Sequence, residues 1–126
     1  MKLNLNQITI SVSNVERSIA FYEQFGLKLI VKALPHYARF ECLSGDSTFS
    51  LHYSNDRVDG ATWIYFETET LDEDASALME KGVVFETGPT DQEWLWREAR
   101  LKDPDGNQLI LYYAGKNRKD PPWKVK

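Results

Sequence analysis

Along the first third of the chain the apolar residues change their spacing at definite points. Ile8, Ile10 and Val12 alternate with Thr9 and Ser11, which is the period of two of a half-buried strand. Val15, Ile19 and Tyr22 then recur at i, i+4 and i+7, one face of a helix over 15–25. Ser13 or Asn14 can cap the start of that helix, and Gly26 can end it. A second strand, LKLIV, follows from Leu27, and a hairpin, RFECLSGDSTFSLHY, from Arg39.

The same order returns 56 positions later, with Ile64 and Phe66 in place of Ile8 and Ile10. Leu71, Ala75 and Leu78 replace Val15, Ile19 and Tyr22, Thr70 can cap, and Gly82 stands where Gly26 stood. VVFET from Val83 matches LKLIV, and REARLKDPDGNQLILYY from Arg97 matches the hairpin from Arg39, with a drift of about two to four residues that a longer turn absorbs. The pattern predicts strand–helix–strand–strand–strand twice: an α+β chain of two modules, about 3–55 and 60–114, with a tail over 115–126. The polar stretch SNDRVDGA, residues 54–61, joins them.

Alternation also divides each strand into two faces. Gln7, Thr9 and Ser11 face away from Ile8, Ile10 and Val12. Ser50 and His52 face away from Phe49, Leu51 and Tyr53. Trp63, Tyr65 and Glu67 oppose Ile64 and Phe66, and Gln108, Ile110 and Tyr112 oppose Leu109, Leu111 and Tyr113. Four strands read separately thus give one apolar layer and one mixed layer of amides, hydroxyls and aromatics. A mixed layer suits a ligand cavity, and it equally suits a face washed by solvent or covered by a partner subunit. In TDQEWLWREAR, residues 90–100, Trp94, Trp96, Glu98 and Arg100 would share one strand face, two flat apolar surfaces followed by an acid and a base.

Composition narrows the function. The 126 residues suit one ordinary domain, and 42% hydrophobic with 13% aromatic residues provide for a core. A net charge of −4 leaves no broad basic footprint for nucleic acid, and the one basic cluster, Lys116 to Lys126, is interrupted by Asp120. No apolar run has the length of a membrane helix, and MKLNLNQITISV has no signal-peptide core. With a lone Cys42, read as a small core residue, these features point to the cytoplasm. His36 follows Pro35 in a loop and reads as exposed. Gly45 and Gly106 sit singly in turns, so no phosphate loop is present, and no nucleophile accompanies His52.

ITISVSNVERSIAFYEQFGLKL and KDPDGNQLILYY resemble the opening module and closing hairpin of the vicinal-oxygen-chelate superfamily, the glyoxalase, bleomycin-resistance and extradiol-dioxygenase proteins. The likeness covers residues 3–114, and the tail AGKNRKDPPW resembles a subgroup of that family. It implies paired βαβββ modules forming curved mixed sheets around a cleft, helices on the convex face, and a homodimer. Metal-using members place His, carboxylate, His and Glu ligands at four strand positions, which fall here on Gln7, Ser50, Trp63 and Ile110. Trp63 and Ile110 offer no lone pair, and a slip of one residue would move the candidates to the other face. No metal and no cofactor is therefore expected.

The resulting expectation is a metal-independent small-molecule binding protein of bleomycin-resistance type. Its ligand would touch Gln7, Ser50, His52, Trp63, Tyr65, Glu67, Trp96, Glu98, Arg100 and Tyr112. The alternative is a lyase or isomerase using a displaced His52, Glu67 and Glu98 set, with or without a divalent metal. Trp63, Trp94, Trp96 and Glu67 favour a planar cationic guest, whereas Arg39, Arg97 and Arg100 favour an anion.

Overall fold

A computed structural model describes residues 1–2, 4–56 and 62–124. Residues 57–61 of the expected linker and the last two residues of the tail lie outside the described residues. The chain divides into two compact units, Met1–Asp59 and Gly60–Lys126, the boundary falling within that linker.

The first unit runs β1 (Gln7–Val12), α1 (Val15–Glu23), β2 (Lys28–Ala33), β3 (Tyr37–Glu41) and β4 (Thr48–Tyr53). Its sheet has the order β1-β4-β3-β2, with β1 parallel to β4 and the other pairs antiparallel. Asn14, not Ser13, caps α1: its Oδ1 accepts the backbone N–H of Arg17 at 2.9 Å, while Ser13 Oγ accepts from the Arg17 guanidinium at 3.0 Å. Gly26 leaves the helix at φ +80°, a conformation that a Cβ would strain. Val15, Ile19 and Tyr22 are buried, as are Ile10, Val12, Phe40, Phe49 and Leu51 of the sheet. The Tyr22 ring meets the Phe49 ring edge-on at 5.0 Å. The apolar layer anticipated from alternation is therefore the layer under α1, except at its ends: Ile8 and Tyr53 extend past the helix and are exposed.

The second unit repeats the plan with β5 (Trp63–Glu67), α2 (Leu71–Glu80), β6 (Phe85–Asp91), β7 (Arg97–Lys102) and β8 (Gln108–Tyr113), in the order β5-β8-β7-β6. A short 3-10 helix, Gly115–Arg118, follows. Thr70 stands at the N-cap of α2, but its hydroxyl donates to Asp74 instead of accepting a helix N–H. Strand β6 begins two residues later than VVFET suggested, because Val83 is drawn into the core and Val84 faces out. Tyr113 overshoots the core and is exposed, as Tyr53 is in the first unit.

The turn before β8 is closed by Asp103. Its Oδ1 accepts the backbone N–H groups of Asp105 and Asn107, each at 2.9 Å, and its Oδ2 accepts from the Asn107 side chain at 2.8 Å. Gly106 completes the turn at φ +84°. This fixes the register of β7 against β8.

Register corrects the alignment of the two modules. Thr9 lies beside Ser50 and Tyr65 beside Ile110; Arg39 is opposite Ser50 and Arg100 opposite Ile110. Arg39 therefore corresponds to Arg100, not to Arg97. The β2–β3 turn takes residues 34–36, while the β6–β7 turn takes residues 92–96, and this longer turn accounts for part of the extra drift. It also overturns one strand assignment. Trp94 and Trp96 sit in the turn, where Leu95 adopts φ +68°, and the strand starts only at Arg97.

Candidate ligand-binding faces

In the second unit the face turned away from α2 carries Trp63, Tyr65 and Glu67 on β5, Ile110 and Tyr112 on β8, and Glu98 and Arg100 on β7. The ladder sets Tyr65, Ile110 and Arg100 in one row and Glu67, Tyr112 and Glu98 in the next. Trp63 is 54% exposed and Tyr65 41%. Ile110 shares that face but is fully buried, and with Tyr112 and Ala114 it forms a small second core against which Trp96 packs. The Trp96 ring stacks on Tyr112 at 4.8 Å and 22°, and Tyr65 meets both rings edge-on. Trp96 Nε1–H donates to the carbonyl of Asn117 at 3.2 Å, so one side chain covers the patch and holds the tail.

Glu98 is 1% exposed, and both of its oxygens are engaged. Oε2 accepts Trp94 Nε1–H at 2.8 Å and Oε1 accepts Arg100 Nη2–H at 3.1 Å. The Arg100 guanidinium carbon lies 5.5 Å from the centre of the Trp63 ring. A buried carboxylate thus neutralises the arginine and aims it over an exposed indole. Glu67 has a different task. Its Oε2 accepts the backbone N–H groups of Ala114 and Gly115 at 2.9 and 3.0 Å, and Arg118 Nε stands 3.7 Å from Oε1.

Burial, the Glu98 charge and, in the opposite sense, Arg100 act on Tyr65, and the net effect raises its phenol pKa above 10.0. Tyr112 is raised for the same first reason, with Glu67 adding to it and Arg118 opposing. A phenol whose folded pKa is raised keeps its proton longer in the native state than in the unfolded chain. Its contribution to stability is complete below the unfolded value and is lost as pH rises through the folded one. Stability should therefore fall above about pH 10. Tyrosinate absorbance at alkaline pH checks this: Tyr65 and Tyr112 should ionise late, together with unfolding.

The first unit carries a polar network on its corresponding face. Gln7 Nε2–H donates to Ser50 Oγ at 2.8 Å and to Thr9 Oγ1 at 3.0 Å, while Gln7 Oε1 accepts from Thr48. Ser50, fully buried, also meets the Tyr37 hydroxyl at 2.7 Å. Arg39 Nε–H donates to the Tyr37 hydroxyl at 2.9 Å. His52 is exposed on the same face, beside Ser11 and Tyr37 in register. Tyr37 was the residue missed in the sequence. The alternation of YARFE places it beside Arg39 once Phe40 is assigned to the core.

The metal positions can now be tested on their surroundings. Gln7 and Ser50 belong to the first unit and are bonded to one another; Trp63 and Ile110 belong to the second, one beneath a guanidinium and the other sealed under Trp96. Indole and sec-butyl carbon cannot ligate, so the residues present do not fit the metal of metal-using relatives. Of the displaced set, Glu67 and Glu98 are engaged as described and His52 lies on the first unit; among the described residues no three His, Cys, Asp or Glu groups are arranged to hold an ion. His36 is exposed in the β2–β3 turn. Cys42 is half-buried rather than a core residue, and its burial raises the thiol pKa.

The sequence model of the Glyoxalase/Bleomycin resistance protein/Dioxygenase superfamily matches residues 4–111. No curated protein matches the chain. Among solved structures, a glyoxalase/bleomycin resistance protein/dioxygenase from Nocardioides is 17% identical with a TM-score of 0.80, the match covering 100% of this chain and 91% of that one. The lactoylglutathione lyase of Agrobacterium tumefaciens is 16% identical with a TM-score of 0.75, covering 87% and 92%. A bleomycin-binding protein complexed with bleomycin is 20% identical with a TM-score of 0.72, covering 89% and 98%. At these identities the structures share the fold, two βαβββ modules in tandem.

Proposed function

The chain belongs to the glyoxalase/bleomycin resistance protein/dioxygenase superfamily, and on that premise we propose that it binds a small planar organic molecule without using a metal ion. The observation that carries this reading is the aromatic face of the second unit. Trp63 and Tyr65 are exposed side by side on one strand, and a guanidinium fixed by a buried carboxylate stands over the indole. Exposed indole and phenol rings offer contact area with little rotamer entropy to lose, and every planar guest has a π face to stack on them. Glu98 is the positioning residue for Arg100, and Trp96 with Tyr112 forms the floor beside which the guest lies. The structural likeness to a protein solved with bleomycin supports the class of function, not the identity of the ligand. A homodimer is part of the proposal.

The test uses bleomycin and a library of planar aromatic compounds, read by quenching of tryptophan fluorescence. Saturable quenching is expected for a subset of these probes. Trp63→Ala should weaken it at least about fivefold, since base-type stacking on one aromatic is worth about 1–3 kcal/mol. Because the Trp63 ring is more than half exposed, the same variant should leave the melting temperature within about 2 °C. No saturable response from any probe would sink the reading.

A further inference from the structure

The two units put an arginine in the same place on the ladder and treat it differently. Arg100 is neutralised by a buried carboxylate; Arg39 leans on a neutral phenol. We propose that the first unit carries a site for an oxyanion, a planar carboxylate above all, built from Arg39, Tyr37 and Ser50. This site stands on the first unit alone and does not depend on the aromatic face of the second.

Counting protons carries the argument. Tyr37 and Ser50 bring two hydroxyl protons, and the 2.7 Å contact between their oxygens uses one. The phenolic oxygen already accepts Arg39 Nε–H, and Ser50 Oγ already accepts Gln7 Nε2–H. The second hydroxyl proton, whichever oxygen holds it, has no acceptor among the described residues. Ser50 is fully buried and Tyr37 half-buried, so the cheaper arrangement has Ser50 donate to the phenolic oxygen and leaves the spare proton on Tyr37, where it can face outward. The Nη1 and Nη2 groups of Arg39 likewise donate to no described residue. Donors therefore outnumber acceptors around one point, and the nearest charge is positive. That is the inverse of a cation site, although Ser50 stands where metal-using relatives place a carboxylate ligand.

Other groups on this face do not cancel the charge. Thr9 and His52 flank Ser50 along β1 and β4 and are neutral or cationic. Glu41, at the far end of β3, lies opposite Lys28 in register, so the one acid on the strand has a base across from it. A carboxylate seated on Arg39 could take two parallel N–H bonds from the guanidinium and the spare hydroxyl proton on one of its oxygens.

Sodium benzoate, sodium phosphate and neutral benzamide are the probes, titrated into 15N-labelled protein. The Arg39 Nε–H and Ser50 amide signals should move saturably with benzoate, in the low-millimolar range expected of so small a ligand, and not with benzamide. A parallel response to phosphate would show that any oxyanion is accepted; benzoate alone would mark a planar carboxylate. Arg39→Gln should weaken benzoate binding at least about tenfold, and Tyr37→Phe severalfold, because charged hydrogen bonds contribute more than neutral ones. The variants' amide spectra report directly whether they fold. Benzoate and benzamide shifting the signals alike, no saturable shift, or undiminished binding in both variants would overturn the site. Loss of this site with retained quenching at Trp63 would leave the proposed function standing, and the reverse result would leave the oxyanion site standing.

Discussion

Replacing Trp96 with alanine should destabilise the protein by about 3 kcal/mol, the lower end of the range for removing a large aromatic from a packed site. The reason lies in what the ring covers. Ile110, Tyr112 and Ala114 form an apolar patch on the sheet face that α2 does not reach, and Trp96 is the side chain packed against it. Removing the indole exposes that patch, ends the 4.8 Å stack on Tyr112 and the edge contact with Tyr65, and breaks the bond from Nε1 to Asn117. Thermal unfolding should show a fall of about 10 °C for a chain of this length. Trp96→Phe keeps part of the stack and loses the hydrogen bond, so it should recover at least about half of the deficit. A full-strength melting temperature for the alanine variant would mean that the patch is covered by something else.

Glu98→Ala should be nearly as damaging, at about 2–3 kcal/mol, by a different route. The carboxylate is 1% exposed and holds two donors, Trp94 Nε1 and Arg100 Nη2. Deleting it strands both: an indole N–H loses its acceptor, and a guanidinium loses its countercharge. The arginine side chain is 31% exposed, so water relieves part of the penalty, and the figure is set below that of a fully buried pair. Glu98→Gln keeps acceptor capacity and should cost about half as much. The double variant Glu98→Ala, Arg100→Ala separates the terms, because removing the stranded charge should restore about 1 kcal/mol. If the double variant is no more stable than Glu98→Ala, the pair is not coupled.

The two variants also separate stability from recognition. Trp96 and Glu98 work under the face of the second unit, whereas Trp63 is exposed on that face and Arg39 is half-exposed on the face of the first unit. The first pair should change melting temperature strongly. The second pair should change binding with little effect on unfolding.

How far the sequence reaches can be seen strand by strand. Alternation placed Ile10, Val12, Phe49, Leu51, Ile64, Leu109 and Leu111 in the core, and helical spacing placed Val15, Ile19, Tyr22, Leu71, Ala75 and Leu78 there. These are local periodicities, and burial against a helix enforces them. The duplication was legible for the same reason, since each module repeats the same periods. Turn chemistry was legible at Gly45 and Gly106, which the structure finds at φ +78° and +84°.

What the sequence by itself determined, then, was the pair of βαβββ modules and the composition of each sheet face. Tertiary structure decided which groups on those faces meet. A period of two says that Glu98 and Arg100 share a side; only the turn at residues 92–96 brings Trp94 back onto Glu98. Alternation puts Ile110 and Tyr112 on the mixed face, and only the fold shows Trp96 packed over them and one oxygen of Glu67 held by the N–H groups of Ala114 and Gly115. The equivalence of Arg39 with Arg100 also needed the register, because insertions in turns shift a linear alignment while the hydrogen-bonded ladder does not move. Short-range spacing fixes which way a residue points; its partner is set by loop length and register.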